Sequence, residues 1–262
     1  MGRYLLTLRS FWATALASQL EYQLNGLIDL LAMVGNLAGS LFVISLFYGP
    51  GRSLGGWSWE AALVVLGVYT VLDGACTSFL RPNLAMIVTH VQQGTLDFIL
   101  LKPIDSQFWL SFRTVSPAGL PEIVTGLGLI LWAAGKAGAS LTPTGCLTAA
   151  LMLASSLVIL YSLWFGLATT SIWFVKTWNA TEVLRAALTA GRYPISAYPL
   201  GLRSLLTVVL PVAFLTTVPA EAILGRVSGG AAAASLLMAT VCLILCRGFW
   251  GYALRFYTSA SS

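Results

Sequence analysis

Two carboxylic acids, Asp73 and Glu122, lie inside long apolar runs of this 262-residue chain. An ionised group surrounded by lipid is costly unless water, a partner or a cargo meets it. Either acid could attract a cationic group or line a hydrated cleft. The structural alternative is hydrogen bonding to Ser, Thr or Tyr on a neighbouring helix. Asp29 and Glu60 fall near the ends of apolar runs and bear less on that question. Other chemistry is sparse. Cys76, Cys146, Cys242 and Cys246 come without a companion His or carboxylate, so their pattern carries no metal or redox signature. His90 is the only histidine. A phosphate-binding loop needs G-x-x-x-x-G-K-[ST], so that backbone N–H groups and a lysine hold the phosphates. Of Lys102, Lys136 and Lys176, only Lys136 follows a glycine; Ala137 comes after it, and Ile130 stands where the first glycine belongs. No ATP hydrolysis and no catalytic residue is expected in this chain.

The elements that must position these acids follow from composition. The chain is 58% hydrophobic and 9% charged, against roughly 25% charged for an ordinary soluble domain. Its apolar residues form continuous blocks of about 20 residues, the length that crosses roughly 30 Å of hydrocarbon as helix. Continuous Leu-rich runs also exclude an alternating barrel pattern. An all-α polytopic membrane protein results, a single transmembrane domain over 1–262 with six spans. They are expected at Leu27 to Tyr48, Glu60 to Leu80, Phe112 to Ala134, Thr144 to Val175, Leu205 to Ala222 and Ala231 to Trp250. Pro211 and Pro219 should kink or end the fifth.

Charge orients the bundle. One side receives Arg3, Arg9, Arg81, Lys102, Arg113, Lys176, Arg185, Arg192, Arg203, Arg247 and Arg255, the other only Arg52, Lys136 and Arg226. The bias places the first group, with both termini, in the cytoplasm. The net charge of +5 therefore reads as topology and contact with anionic headgroups, not nucleic-acid binding. Before the first span, residues 1–25 place Leu5, Leu8, Trp12 and Leu16 on one helical face, which suits a helix lying in the interface.

Two cytoplasmic connections are more than links. Residues 82–105 exceed what a hairpin between helices requires. After Pro82, Leu84, Ile87, Val88 and Val91 recur at helical spacing, and Gly94 stops them. "TLDFILLKP" then restarts a short helix, with Thr95 as cap, Asp97 in the first turn, Lys102 in the last and Pro103 as terminator. In 176–203, Asn179 with Glu182 makes a capping-box-like start, and Gly191 and Pro194 a stop. Both helices could simply anchor the chain at the interface.

The strings "GTLDFILLKPID", "FWLSFR", "IWFVKTWNATEVL", "GRYPISAYP" and "LPVAFLTTVPAEAILG" resemble the membrane subunits of ABC-2 type exporters. Within these, they look like the paired six-helix permeases related to daunorubicin-type drug exporters. The resemblance implies an N-terminal elbow helix and a coupling helix that docks on a separate ATPase. Here the coupling helix would run from Thr95 to Lys102, with Leu96, Phe98 and Leu100 packing and Asp97 and Lys102 at the rim. Gly191 and Arg192 would lie on the same face as a lesser contact or hinge. A re-entrant turn near Pro211, Pro219 and Glu221 would close the exit.

The resemblance also implies two ATPase copies or equivalents that bind ATP and Mg, a second permease, identical or homologous, and a bacterial plasma membrane. Cargo would be an amphipathic molecule moved outward by alternating access, a cationic one being favoured slightly by Asp73 and Glu122. Trp132, Trp164 and Trp173 could stack on an aromatic cargo. Kinking by "SPAGLPE", Ser116 to Glu122, would make the third span a flexible wall. The competing classes are an ion-coupled secondary transporter, for which neither an acid chain nor an internal repeat is evident, and a non-transporting scaffold.

Overall fold

The computed structural model describes residues 11–13, 23–48, 53–139, 142–174 and 178–258. Among these the chain is helical, without a strand beyond one isolated bridge between Leu54 and Trp57. Of the expected elbow helix only residues 11–13 are described, and they are helical. There Trp12 donates its indole N–H to the Phe112 carbonyl at 3.1 Å. The rest of that helix lies outside the described residues, as do the side chains of Asn179 and Glu182.

The first span, α1, runs Gln23–Phe47. A loop closed by Trp57 leads to Ser58, whose hydroxyl accepts the Ala61 N–H and caps α2, Trp59–Ala75. The end of the bundle carrying this loop is called upper below. Instead of ending near Leu80, α2 continues through a π-helical stretch, Cys76–Leu80, into α3, Arg81–Gln92, one apolar rod of 34 residues. Pro82 explains the π stretch. It has no N–H for the Ser78 carbonyl four residues back, and that carbonyl instead accepts the Ser116 amide at 2.9 Å. Asn83 fastens the same segment, accepting the Thr114 amide at 2.8 Å and donating to the Thr114 carbonyl at 2.6 Å.

At the lower end, Gly94, with φ +69, stops the rod as its left-handed backbone requires. The short helix α4 spans Leu96–Leu100 and α5 spans Ser106–Phe112. The third span therefore starts later than Phe112. Ser116 caps a 3₁₀ turn, Pro117–Gly119, and α6 follows as Leu120–Lys136. "SPAGLPE" initiates this helix instead of bending it, since Pro117 and Pro121 need no amide partner in a first turn. Glu122 thus sits in the first turn of the span, not ten residues along.

Four glycines join α2 to α6. A Cβ on Gly74 would stand 2.6 Å from the Gly119 carbonyl, and one on Gly126 would stand 2.9 Å from the Gly67 carbonyl. The two contacts, seven residues apart along each segment, interlock antiparallel helices at backbone contact. Next, α7, Pro143–Thr169, descends, and α11, Gly229–Ala253, packs beside it. Trp173 stacks on Phe249 at 5.7 Å to mark their shared lower end.

The largest departure from expectation concerns 176–203. Helix α8, Trp178–Ala190, buries Leu184 and Leu188 in the common core. Its 13 residues climb about 20 Å at 1.5 Å each. The chain then reaches the upper loop, where Ser196 donates its hydroxyl to the Gly55 carbonyl at 2.8 Å. Gly55, at φ +60, leaves no room there for a side chain: its Cβ would lie 2.6 Å from the Ala197 nitrogen. Residues 178–196 therefore make the fifth crossing, and the expected connection at the lower end is corrected.

The residues from 205 to 222 are corrected with it. Leu200–Val209 and Ala213–Ile223 are two limbs bent by 78° at Pro211. Helix α9, Leu200–Ser204, opens the first limb and α10, Val218–Ile223, closes the second. Both ends of the pair lie at the upper end, so it re-enters instead of spanning. With α8 crossing, Arg185 and Arg192 leave the charge tally of the lower face, and Arg203 joins the upper one.

Two outcomes follow. Gly74→Val should destabilise the chain by about 1–3 kcal/mol through overpacking, whereas Gly128→Val, with nothing within 4 Å of its Cβ position, should be near neutral; melting temperature in detergent reads both. In a cysteine-free background, Arg203→Cys should react with an impermeant thiol reagent from the same membrane face as Ser53→Cys and the opposite face to Leu101→Cys.

Candidate functional site

The glycine interlock sets the site. Because Gly74 and Gly119 touch, the Cβ of Glu122 lies 2.8 Å from where a Gly74 Cβ would be, bringing Glu122 level with Asp73 across the α2–α6 seam. The acids of the two apolar runs form the floor of one cleft of about 510 Å³. Its walls come from α1, α3, the Ser116 loop and α8, which add Asp29, Asn36, Arg81 and Arg185. The Asp105–Arg247 ion pair lies outside this cleft, and among the described residues none joins the charged side chains that line it. Charges of both signs thus face the cavity without pairing with one another.

Behind the floor runs a hydrogen-bonded chain. Tyr69 donates to Asp73 Oδ2 at 3.0 Å, and Arg192 donates through Nη2 to the Tyr69 hydroxyl at 3.1 Å and through Nη1 to Ser40 Oγ at 3.3 Å. The Arg192 guanidinium also lies 4.8 Å from the Tyr69 ring centre, a cation–π geometry. Glu122 Oε2 and Arg192 Nε are buried without a hydrogen-bond partner in the structure. Gly191 makes the turn that aims Arg192 inward by packing against Thr216 and Val212 of the re-entrant pair.

Of the expected site residues, Asp73 and Glu122 come together as cleft floor. Gly191 and Arg192 do not lie on the lower face; they belong to the interior beneath the upper loop. Trp132 is 54% exposed on the outer face of α6, and Trp164 is buried in the core; neither lines the cleft. Trp173 packs among Phe249, Tyr252 and Phe256. Pro211 sits at the bend of the re-entrant pair, Pro219 in the first turn of α10 and Glu221 two residues beyond. Asp29, Tyr69, Arg81 and Arg185 were not singled out from sequence as site residues. The charge pattern assigns the two arginines to a solvated face, and Tyr69 has no signal apart from its spacing of four from Asp73.

The lower end carries a second feature. Helix α4 turns Leu96 and Ile99 into the core and leaves Phe98 68%, Leu100 38% and Leu101 82% exposed. Leu96 therefore packs inward, not toward a partner. Thr95 does not cap by its side chain; its hydroxyl lies 2.8 Å from His90 Nδ1. Lys102 and Arg113 lie 5.0 and 4.5 Å from the Trp109 ring centre. Asp105 caps α5 by accepting the Phe108 amide and pairs with Arg247 at 2.6 Å. Burial works against its charge, but the hydrogen bonds from Arg247 and Phe108 prevail and hold the carboxyl below the usual carboxylate range. Gln107 reaches Tyr161 at 3.0 Å and accepts from Arg247 at 3.0 Å. The seat of α4 is thereby bolted to α7 and α11.

The family model described as ABC-2 family transporter protein matches residues 34–261. The chain belongs to the ABC-2 transporter family. It is a multi-pass permease subunit of an ABC transporter, a family whose membrane subunits usually leave ATP hydrolysis to a partner. No curated protein and no solved structure matches it. In this permease the polar chain from Asp73 to Arg192 joins cleft to upper end. Tyr69→Phe removes its middle link and leaves two half-buried charged groups one partner short, so stability should fall by about 1–2 kcal/mol. An unchanged melting temperature in detergent would show that the link carries no weight.

Proposed function

We propose that this permease is half of an exporter, driven by a separate ATPase that docks against α4 and paired with a second permease, identical or homologous. ATP and Mg belong to the ATPase, present as two copies or equivalents. The observation that carries the reading is the division of α4: Leu96 and Ile99 anchor it to the rod that bears Asp73, while Phe98 and Leu101 project from the lower end. A rigid element with an exposed apolar tip transmits a push from a soluble partner to the spans, and an apolar anchor in a partner's pocket is how such contacts gain affinity. The lower end is then cytoplasmic, with both termini, in a bacterial plasma membrane. Among the described residues Arg81, Lys102, Arg113, Arg247 and Arg255 stand toward the lower half, against Arg203 and Arg226 at the upper end, which favours this orientation.

Cargo enters the cleft from the lower end and is an amphipathic molecule with a charged group. The re-entrant pair with Pro211, Pro219 and Glu221 acts as the exit gate, opened when nucleotide-driven closure tilts the bundle. An ion-coupled transporter needs no such helix, whereas a scaffold could use it as an interfacial anchor, so recovery of an ATPase separates the readings.

Tagged chain, extracted gently, should co-purify with an ATPase identifiable by mass spectrometry. Phe98→Asp with Leu101→Asp should cut its recovery by about tenfold or more while the permease keeps its elution profile, the scale expected for losing a central apolar anchor. Leu96→Asp tests folding instead, because Leu96 is fully buried. Retention of the ATPase by the double variant, or no ATPase from wild type, would overturn the assignment.

A further inference from the structure

The cleft contains more than acids. Asp73 and Glu122 form its floor, whereas Arg81 lies eight residues further down the same rod, roughly 12 Å at 1.5 Å per residue. Arg185 lies seven residues before Arg192, which holds Tyr69 one turn above Asp73; its level is therefore between the floor and Arg81. Negative charge is deep and positive charge sits nearer the mouth, with Asp29 beside it. None of these five groups pairs with another, and Glu122 keeps a buried oxygen without a partner. Ala32 and Met33 of α1 add an apolar side.

We propose that this cleft binds a dipolar amphiphile, its protonated amine between Asp73 and Glu122 and its phosphate or carboxylate on Arg185 and Arg81. Electrostatic reasoning selects this class. A purely cationic ligand at the floor acids leaves Arg81 and Arg185 at the mouth, which the single carboxylate of Asp29 offsets only in part. A purely anionic ligand meets the opposite conflict at the floor. Only a molecule with both charges, in this order, satisfies each end. Charges left unpaired in the cleft are available to such a ligand, and two charge-assisted contacts in a fixed order give it selectivity. The apolar side takes the hydrocarbon part, which continues toward lipid past the exposed face of α1. The biological use as cargo rests on the permease reading, but the binding itself does not.

The test uses the full chain in detergent without ATPase, so that failed docking on α4 and failed binding here are separate results. Four probes are titrated by calorimetry: dihexanoyl phosphatidylethanolamine, 8-aminooctanoate, hexylamine and hexyl phosphate. The first two carry both charges at short and long separation, which distinguishes a lipid headgroup from an extended amino acid as the source of the zwitterion. At least one of them should bind saturably about tenfold or more tighter than either single-charge probe, and Glu122→Gln and Arg185→Gln should each reduce it to the level of the single-charge probes, as loss of one charge-assisted contact implies. Hexylamine binding as tightly as both zwitterions would overturn the proposal, as would absence of saturable zwitterion binding to folded wild type. The wild-type probe comparison decides the matter even where a variant fails to fold.

Discussion

Backbone contact between α2 and α6 through Gly67, Gly74, Gly119 and Gly126 is the constraint on which the rest of the bundle depends. In lipid, helices gain little from hiding apolar surface, so close packing of small residues supplies the association. Here the same contact does a second thing. It fixes Asp73 and Glu122 at one level on opposite sides of the seam, so two acids distant in sequence become one floor. A larger residue at any of the four positions would both loosen the helix pair and separate the acids.

The second constraint is that charge within the bilayer must be answered. Arg192 is answered by Ser40, by the Tyr69 hydroxyl and by the ring face, and through Tyr69 it reaches Asp73. The residues flanking Arg192 are committed elsewhere. Ile195 donates its amide to Thr217 at 3.3 Å and Ser196 holds the Gly55 carbonyl. The hydrogen-bonded chain therefore runs from the cleft floor into the segment that supports both the upper loop and the re-entrant pair. A change at Asp73 and a change at the upper end share one set of partners, which is a physical basis for coupling them.

Much of this was legible from sequence where a single strong term dominated. Long apolar blocks gave five of the crossings, Gly94 gave the lower stop, and Pro211 gave the bend. The failures arose where two terms competed. Helix α8 is short and carries Arg185, so by hydropathy and by the charge rule it resembles an interfacial helix; its membership in the core depends on Leu184 and Leu188 packing, which composition does not reveal. Pro82 does stand in the first turn of α3, yet Ser116 accommodates the carbonyl that the proline leaves free, and the rod runs on from α2 without a break. Glu122 was recognised but placed too deep, because Phe112 belongs to α5 and the prolines begin α6 instead of kinking it. The α4 face was misjudged at Leu96, since a five-residue helix leaves too few positions for periodicity to say which side is inward.

A crossing helix with an arginine on its exposed side is stable in a bilayer only if that side faces something other than hydrocarbon. For α8 the cleft is that something, and α1 is the wall that closes it. Yet α1 is the least embedded of the long helices: 11% of its most apolar stretch is buried, against 72% for the α2–α3 rod. It is held at its upper part, where Ile44 and Ser40 are buried and Tyr48 donates to the Trp57 carbonyl at 3.1 Å, while Leu27, Ile28 and Leu31 below are exposed. The cleft thus has one closely packed side, the glycine-locked α2–α6 pair, and one lightly packed side, α1, held at its top and against the Pro117–Gly119 turn. Displacement of the lower part of α1 would change the width of the cleft without breaking the interlock or the Asp73–Tyr69–Arg192 chain. The floor acids sit on the glycine-locked pair and Asp29 on the lightly packed wall, so a change in cleft width would leave the charge pattern of the floor intact.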